Sequence, residues 1–420
     1  MRPLARSGIH AYACRETQTR LFPVWLTCYL KFTKYMVIIN IMEIESSEKI
    51  CYTLPMNVKL SALIGRVPVV ALLGMCKNAG KTTALNSLIG EYRTSGERIA
   101  VTSVGRDGEP FDLVTGTPKP SIYIYDGTLA ATASGLLNLS DVSREILDVT
   151  DIATPLGKVV VFRAMSSGYV QLAGPSSIDD MSRIRDQMHS LGADTVLIDG
   201  ALNRRSPASG AHDGACILST GASLSRDMDT VVSETAFVCK ILTLPEYRGQ
   251  GSGVRGQSAG VTGQGSGIRD QGSGDGSDGS GFGVQGLRAR RYVVIGRDGG
   301  AEGADTAEEL CAILKRTDAK EVFFSGALTD TVALAILQSG EKLHSLRFIV
   351  EDSSKILIKK ESFEKLQSRD IEFHVKHGTK LAAVTVNPVS AGGWQFDAKI
   401  FLDKIQNAIA IPAVDLGGSE

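Results

Sequence analysis

Gly-Met-Cys-Lys-Asn-Ala-Gly-Lys-Thr occupies residues 74–82 and follows the apolar run Val67–Leu73. A short apolar run is typical of a buried strand, and residues 83–89 then follow a helical pattern. The stretch matches G-x-x-x-x-G-K-[ST] between strand and helix, which is the context that a P-loop requires. The sequence therefore predicts an α/β domain of the P-loop NTPase type, with a parallel sheet in three layers and an insertion rich in Gly and Ser.

The chemistry of this stretch points to a polyphosphate ligand. Its glycines allow backbone N–H groups to close around an anion at a helix N-terminus, where the helix dipole favours negative charge. Lys81 is expected to contact the β- and γ-phosphates, and the Thr82 hydroxyl to bind Mg²⁺. The residues expected to bind the nucleotide are Gly74, Lys77, Asn78, Ala79, Gly80, Lys81, Thr82 and Thr83. The alternative is a glycine-rich turn without a ligand.

A second strand ends in a carboxylate. Residues 195–198 are Thr-Val-Leu-Ile and Asp199 follows them. A Walker B strand has this arrangement, with apolar residues for a sheet buried on both faces and one carboxylate for the Mg²⁺ shell. Many strands end in Asp, so Asp199 is predicted as a metal-site residue because a P-loop precedes it. The chain has no N-K-x-D sequence, and ATP is therefore favoured over GTP.

Two further acidic residues, Asp107 and Glu109, follow the strand predicted at residues 98–104. Ligands of open α/β sheets bind at the carboxyl ends of the strands. Asp107 and Glu109 are therefore candidates for positioning the metal ion or an attacking water molecule, and a surface turn with acidic residues is the alternative. Residues 110–135 are interpreted as a long functional loop, and residues 141–149 as a short helix.

Composition narrows the functional classes. The formal net charge of -1 and the pI near 6.6 indicate neither nucleic acid nor an anionic membrane surface as a partner. The seven cysteines are scattered and form no C-x-x-C pair. They favour a reducing, cytoplasmic compartment and argue against a disulfide framework or a zinc site.

Changes in composition divide the chain into four parts. Residues 1–56 are interpreted as a poorly structured leader, part of which could be a gene-model extension, and residues 57–248 as the nucleotide-binding domain. Residues 249–286 contain fifteen glycines in thirty-eight positions, a composition that predicts disorder. The α/β pattern resumes over 287–420, which either completes the domain or forms a second small lobe.

Five blocks of sequence resemble those of an anaerobe family, the P-loop reactivase-type subunit associated with adenosylcobalamin-dependent lysine 5,6-aminomutase, sometimes labelled MutS-related. The blocks are residues 73–83, 102–109, 112–120, 197–201 and 384–388. The resemblance implies an ATPase that restores an inactivated mutase by driving release of its damaged cobalamin. It also implies two partners, the aminomutase and a second reactivase subunit, and an oligomer is possible. The MutS label implies DNA repair, which the charge does not support.

Three functional readings remain open from the sequence. The first is the reactivase-type ATPase, with ATP and Mg²⁺ as cofactors and with Lys81, Asp107 and Glu109 as its catalytic candidates. The second is an ATP-dependent ligase of the dethiobiotin synthetase type, which would act on a small molecule without a protein partner. The third is a nucleotide-gated binding module with negligible turnover.

Overall fold

A computed structural model describes residues 58–105, 122–201, 214–248, 290–339 and 345–417. In residues 1–57 it describes only the backbone of four strands, which pair antiparallel in chain order: Tyr12–Ala13, Trp25–Phe32, Tyr35–Met42 and Lys49–Thr53. The predicted leader otherwise lies outside the described residues, as does the whole of the predicted glycine-rich insertion.

The elements after residue 57 alternate between strands and helices. The strands are β1 (Val69–Gly74), β2 (Ile99–Ser103), β3 (Ile122–Ile124), β4 (Leu129–Ala133), β5 (Arg144–Thr154), β6 (Gly157–Ala164), β7 (Gly168–Val170), β8 (Thr195–Ala201), β9 (Ala215–Gly221), β10 (Tyr292–Gly296), β11 (Ala301–Ala304), β12 (Ala319–Phe324), β13 (Leu328–Thr329), β14 (Leu346–Asp352), β15 (Ile356–Leu357), β16 (Ile371–His377), β17 (Lys380–Asn387) and β18 (Ala413–Asp415). The helices are α1 (Leu60–Ile64), α2 (Lys81–Ser95), α3 (Ile178–Ser190), α4 (Met228–Leu242), α5 (Ala307–Arg316), α6 (Asp330–Gln338), α7 (Lys360–Gln367) and α8 (Ala398–Ala408).

The chain divides into two compact units. The first comprises residues 1–244, 352–354 and 377–420, and the second comprises 245–351 and 355–376. The strand β17, the helix α8 and the strand β18 thus belong to the same unit as the glycine-rich stretch at 74–82. The polypeptide leaves the first unit, forms the second and returns to complete the first.

The first unit is built on a nine-stranded sheet of order β18-β17-β9-β1-β8-β2-β4-β6-β5. Pairing is parallel from β18 to β4, and β6 then runs antiparallel to both of its neighbours. The strand β1 lies near the centre of the parallel part and is buried along its whole length. The mostly parallel α/β sheet expected from the sequence is therefore present.

Helices cover both faces of this sheet. Alternate residues of β1 enter different apolar clusters: Val70 and Leu72 pack with α1 and α2, whereas Ala71 and Leu73 pack with α4 and α8. The helix α3 lies on the same face of the sheet as α4, where it packs in another apolar cluster that includes Val69. Burial on both faces explains why the parallel strands read as continuous apolar runs. The arrangement has three layers, as the sequence predicts.

The second unit has a five-stranded sheet of order β11-β10-β12-β14-β16 and a small pair formed by β13 and β15. Its buried residues include Phe324, Phe348, Phe363 and Phe373, whose rings contact one another between the sheet and the helices. Residue 246 forms a bridge with Val375 at the outer edge of β16. Residues 245–247 thus continue the sheet beyond that strand.

Two local predictions are wrong. Residues 141–149 were expected to be helical, but Arg144–Thr154 is a strand that pairs with β6 through a hairpin turning at Gly157, whose φ is 104°. The spacing of its apolar residues also fits a helix. The segment is nevertheless a strand, because its β-branched side chains favour a sheet and β6 is available as a partner. The loop predicted over residues 110–135 also contains strand β4, which pairs parallel to β2.

Within the described parts of the chain, no helix combines the length and the apolar character that crossing a membrane requires.

Candidate functional site: the loop at residues 74–82 on the carboxyl edge of the sheet

The stretch 74–82 leaves the carboxyl end of β1 and enters α2. Two of its residues have left-handed backbone conformations, Asn78 with φ 60° and Gly80 with φ 90°. Side chains other than glycine rarely adopt this region, although Asn tolerates it better than most. The sequence therefore places Gly and Asn where the loop needs positive φ, and the strand-loop-helix context predicted for the motif is confirmed.

The N-terminus of α2 has no side-chain cap. Its N-cap is Gly80, which makes no capping hydrogen bond through a side chain. The helices α1, α6 and α7 likewise lack a side-chain cap, whereas α3, α4, α5 and α8 begin at residues whose side-chain oxygens accept a backbone N–H: Ser177, Asp227, Thr306 and Asp397. The first N–H groups of a helix have no intrahelical partner. In α2 these donors remain available to an anion at the end of the loop.

Lys81 and Asp199 form an ion pair at this site. The Lys81 Nζ donates to Asp199 Oδ1, and the two side chains are 23% and 20% exposed. The fold brings them together because β8 is the direct neighbour of β1 and Asp199 lies opposite Leu72 in the parallel register. Lys81 and Asp199, singled out from separate stretches 118 residues apart, thus lie side by side.

The residues present fit a magnesium-nucleotide. Mg²⁺ in such sites commonly takes one or two protein oxygens and completes its shell with phosphates and water. Asp199 is at the sheet edge, and Thr82 is the second residue of α2 and is half-buried. Among the described residues, no group of three or more His, Cys, Asp or Glu could hold a metal ion by itself. A metal at this edge would therefore depend on oxygens of the bound phosphates.

Asp107 and Glu109 lie outside the described residues. The chain enters their loop next to Asp199, because Ser103 is paired with Asp199 across β2 and β8, and Val104 N donates to Asp199 O at 2.9 Å. Gly105 N then donates to Pro175 O at 3.0 Å. The loop begins beside Asp199, and the roles of Asp107 and Glu109 stay predictions.

The remaining loop residues differ in exposure. Gly74 and Ala79 are buried, Met75, Cys76 and Gly80 are half-buried, and Lys77, Asn78 and Thr83 are exposed. Met75 N donates to Ser219 O at 3.0 Å, which attaches the start of the loop to β9. Burial raises the pKa of the Cys76 thiol above its usual value, so this cysteine is mostly protonated and a poor nucleophile at neutral pH.

Asn387 is a site residue that sequence reasoning missed. From the sequence, the Asn-Pro pair in Thr385–Pro388 favours a plain strand-to-loop exit over a partner or substrate surface. In the structure Asn387 Nδ2 donates to Asn78 O at 3.1 Å, a contact between residues 309 apart in sequence. A polar residue at the end of a parallel strand was the available signal, since these ends meet at the ligand-binding edge.

Comparisons with known proteins identify no relative: no protein-family model, no curated protein and no solved structure matches the chain.

Proposed function

We propose that this protein binds ATP with Mg²⁺ at residues 74–82 and hydrolyses it. The observation that carries the proposal is the meeting of Lys81 and Asp199 at the uncapped N-terminus of α2. A lysine, a carboxylate and free backbone donors are the components that P-loop NTPases use to hold the β- and γ-phosphates and the metal ion. The motif, its strand-to-helix context and the adjacent Walker B strand support the same function.

Each residue has a separate role in this proposal. The backbone N–H groups around Gly80 bind phosphate oxygens, and Lys81 moves from Asp199 to the β- and γ-phosphates. The Thr82 hydroxyl and the Asp199 carboxylate hold Mg²⁺, which neutralises charge on the phosphates when bound. Asp107 or Glu109 orients the attacking water molecule from the loop that begins next to Asp199. Positioning and charge stabilisation then supply most of the catalysis.

The biological role that we propose is reactivation of an adenosylcobalamin-dependent aminomutase, together with a second reactivase subunit. This part rests on the sequence resemblance alone. A mutase that has lost its adenosyl group retains an inactive cofactor. ATP-driven ordering and release of a loop is a known way to change a partner's conformation. The loop with Asp107 and Glu109 is the candidate for that movement.

Phosphate release separates this function from its alternatives. The protein is assayed with MgATP alone, with MgGTP, and with MgATP plus lysine 5,6-aminomutase carrying inactivated cobalamin. We expect slow hydrolysis of ATP, less of GTP, and faster hydrolysis with cobalamin release when the mutase is present. Absence of stimulation and of cobalamin release would contradict the reactivase role, and binding without any turnover would favour the nucleotide-gated module.

A further inference from the structure

Asn387 joins three segments at the nucleotide-binding edge of the first unit. Its side-chain Nδ2 donates to Asn78 O at 3.1 Å, and its Oδ1 accepts the N–H of Val389 at 3.1 Å. Its backbone carbonyl accepts the N–H of Ala222 at 2.9 Å. One residue thus contacts the phosphate loop, the segment after β9 and the segment after β17.

The two side-chain bonds define how the Asn387 carboxamide is oriented. An N–H donor can face only the oxygen of the amide, so the bond from Val389 N to Oδ1 turns the NH₂ group toward the Asn78 carbonyl. The amide oxygen and nitrogen of Asn387 are thus distinguished by their hydrogen-bond partners, since the two atoms are nearly alike in shape. Asn387 therefore acts as a donor toward the loop.

Two glycines allow Asn387 to approach this closely. A Cβ placed on Gly80 would lie 3.1 Å from the Cβ of Asn387, and one placed on Gly221 would lie 2.6 Å from its carbonyl oxygen. Glycine suits position 80 for two independent reasons. Its φ of 90° is a conformation that other residues rarely adopt, and it leaves the space beside Asn387 free. The phosphate loop and the end of β9 are both shaped to accommodate the residue at 387.

The segment after Asn387 is itself held in place. Trp394 Nε1 donates to Ala222 O at 3.1 Å, and the Arg226 guanidinium lies 4.8 Å from the centre of the Trp394 ring. Phe396 N donates to Pro388 O at 2.9 Å, which closes residues 388–396 into a compact loop. Asn387 is thus supported from both sides and can position a neighbour.

The hydrogen bond from Asn387 holds the carbonyl group of Asn78, whose orientation determines whether the loop presents N–H groups or a carbonyl oxygen to a phosphate. Asn78 has a positive φ, a conformation that persists only when its surroundings support it. The Asn387 donor satisfies the Asn78 carbonyl, which would otherwise be free to turn toward the bound phosphates and repel them. Holding a backbone group in its bound orientation reduces the cost of ordering on binding.

We propose that Asn387 is a positioning residue for the phosphate loop, so that the chain returning from the second unit completes the nucleotide site. This inference rests on the proposed nucleotide function for its effect on affinity. Asn387 lies outside the nucleotide-binding motif at residues 74–82. A single neutral hydrogen bond is worth about 1 kcal/mol, which corresponds to about a fivefold change in affinity.

The test uses the full chain with Asn387→Ala and Asn387→Asp, and Val389→Ala as the matched control. Val389 has an exposed side chain on the same segment and retains its N–H in the variant. We expect MgATP affinity to fall about fivefold for Asn387→Ala. A larger fall is expected for Asn387→Asp, which replaces the donor by a carboxylate beside the phosphates. Val389→Ala should bind MgATP as the wild type does.

Hydrogen exchange of the nucleotide-free proteins provides a second readout. Both Asn387 variants should exchange faster at the amides of residues 75–82, with little change elsewhere and in melting temperature. If the wild type binds MgATP and Asn387→Asp matches it in affinity, the positioning role is overturned while the proposed function stands. If no protein binds MgATP, the proposed function fails, and exchange at 75–82 still decides whether Asn387 holds the loop.

Discussion

Replacing Asp199 by Asn tests the most specific electrostatic feature of the site. Asp199 accepts from Lys81, so we expect the carboxylate to compete with the phosphates of a nucleotide for the lysine. At an effective dielectric constant of about 20, opposite charges about 4 Å apart attract by about 4 kcal/mol. Dehydration and residual solvent lower the net value, because the side chains are 23% and 20% exposed.

A net contribution of about 1.4 kcal/mol, or a factor of ten, is a reasonable magnitude for this partly buried pair. Asp199→Asn should therefore bind ATP about ten times more tightly than the wild type when EDTA removes Mg²⁺. The variant should also lose most of the gain in affinity that Mg²⁺ gives the wild type, since a neutral amide is a poorer ligand for Mg²⁺ than a carboxylate. The two proteins are compared by titration of a fluorescent ATP analogue with and without Mg²⁺.

Asp194→Asn is the matched control for loss of one negative charge. Asp194 precedes the same strand but pairs with Arg98 at the opposite, amino end of β8. Its replacement should leave ATP binding unchanged under both conditions. Equal or weaker binding of Mg²⁺-free ATP by folded Asp199→Asn would refute the competition between the carboxylate and the phosphates.

Three further predictions concern the loop and the insertion. Gly80→Ala should lower the free energy of unfolding by about 2 kcal/mol and weaken MgATP binding, because its φ is 90° and a Cβ would crowd Asn387. Gly96→Ala, at the other end of α2 with φ 75° and open space around it, should cost about 1 kcal/mol and leave binding intact; equal effects on binding would contradict the close contact. Alkylation of Cys76 by iodoacetamide, followed by peptide mass mapping, should be slow at pH 7, accelerate as the pH rises toward its raised pKa, and be suppressed by MgATP. Fast reaction at pH 7 would refute the protonated thiol. Replacing residues 250–285 by a flexible twelve-residue linker should leave the melting temperature unchanged or slightly higher, because each halving of a loop recovers about 0.6 kcal/mol; a fall of several degrees would show that the insertion stabilises the fold.

The linker in the last prediction is long enough for the sheet that it must cross. Residue 246 lies beyond β16, and the chain resumes at β10, so that β16, β14 and β12 lie between residue 246 and β10. Strands are about 4.8 Å apart, so the gap is about 19 Å, which twelve residues span easily at about 3.3 Å each. The native segment is far longer than this connection requires.

The strand, loop and helix around residues 74–82 and the strand that carries Asp199 were predictable because their determinants are local. Gly80, Lys81 and the apolar run before residue 74 form one short motif, and Asp199 directly follows the apolar residues 196–198. The order of chemical groups along such segments is enough to predict a strand, a loop and a helix. The three layers follow from apolar residues on both faces of the central strands.

The remaining features depend on pairing between distant segments. The strand at Arg144–Thr154 was mistaken for a helix because its partner, and not its own periodicity, decides its conformation. Asn387 was interpreted as part of a turn because its contact with Asn78 crosses 309 positions and an entire second unit. No local pattern reveals which carbonyl a strand-end amide will meet.

The most direct test of the central claim compares Lys81→Ala with Lys77→Ala by calorimetric titration of MgATP. Both changes remove one lysine from the same loop. Lys81 pairs with Asp199, whereas the Lys77 side chain is exposed and its expected contact with the nucleotide is made by its backbone N–H, which alanine retains. We predict that Lys81→Ala loses at least about tenfold in affinity, as expected for a charged hydrogen bond to phosphate worth about 1.5–3 kcal/mol, and that Lys77→Ala binds nearly as the wild type does. Wild-type affinity in folded Lys81→Ala would contradict a phosphate site at residues 74–82.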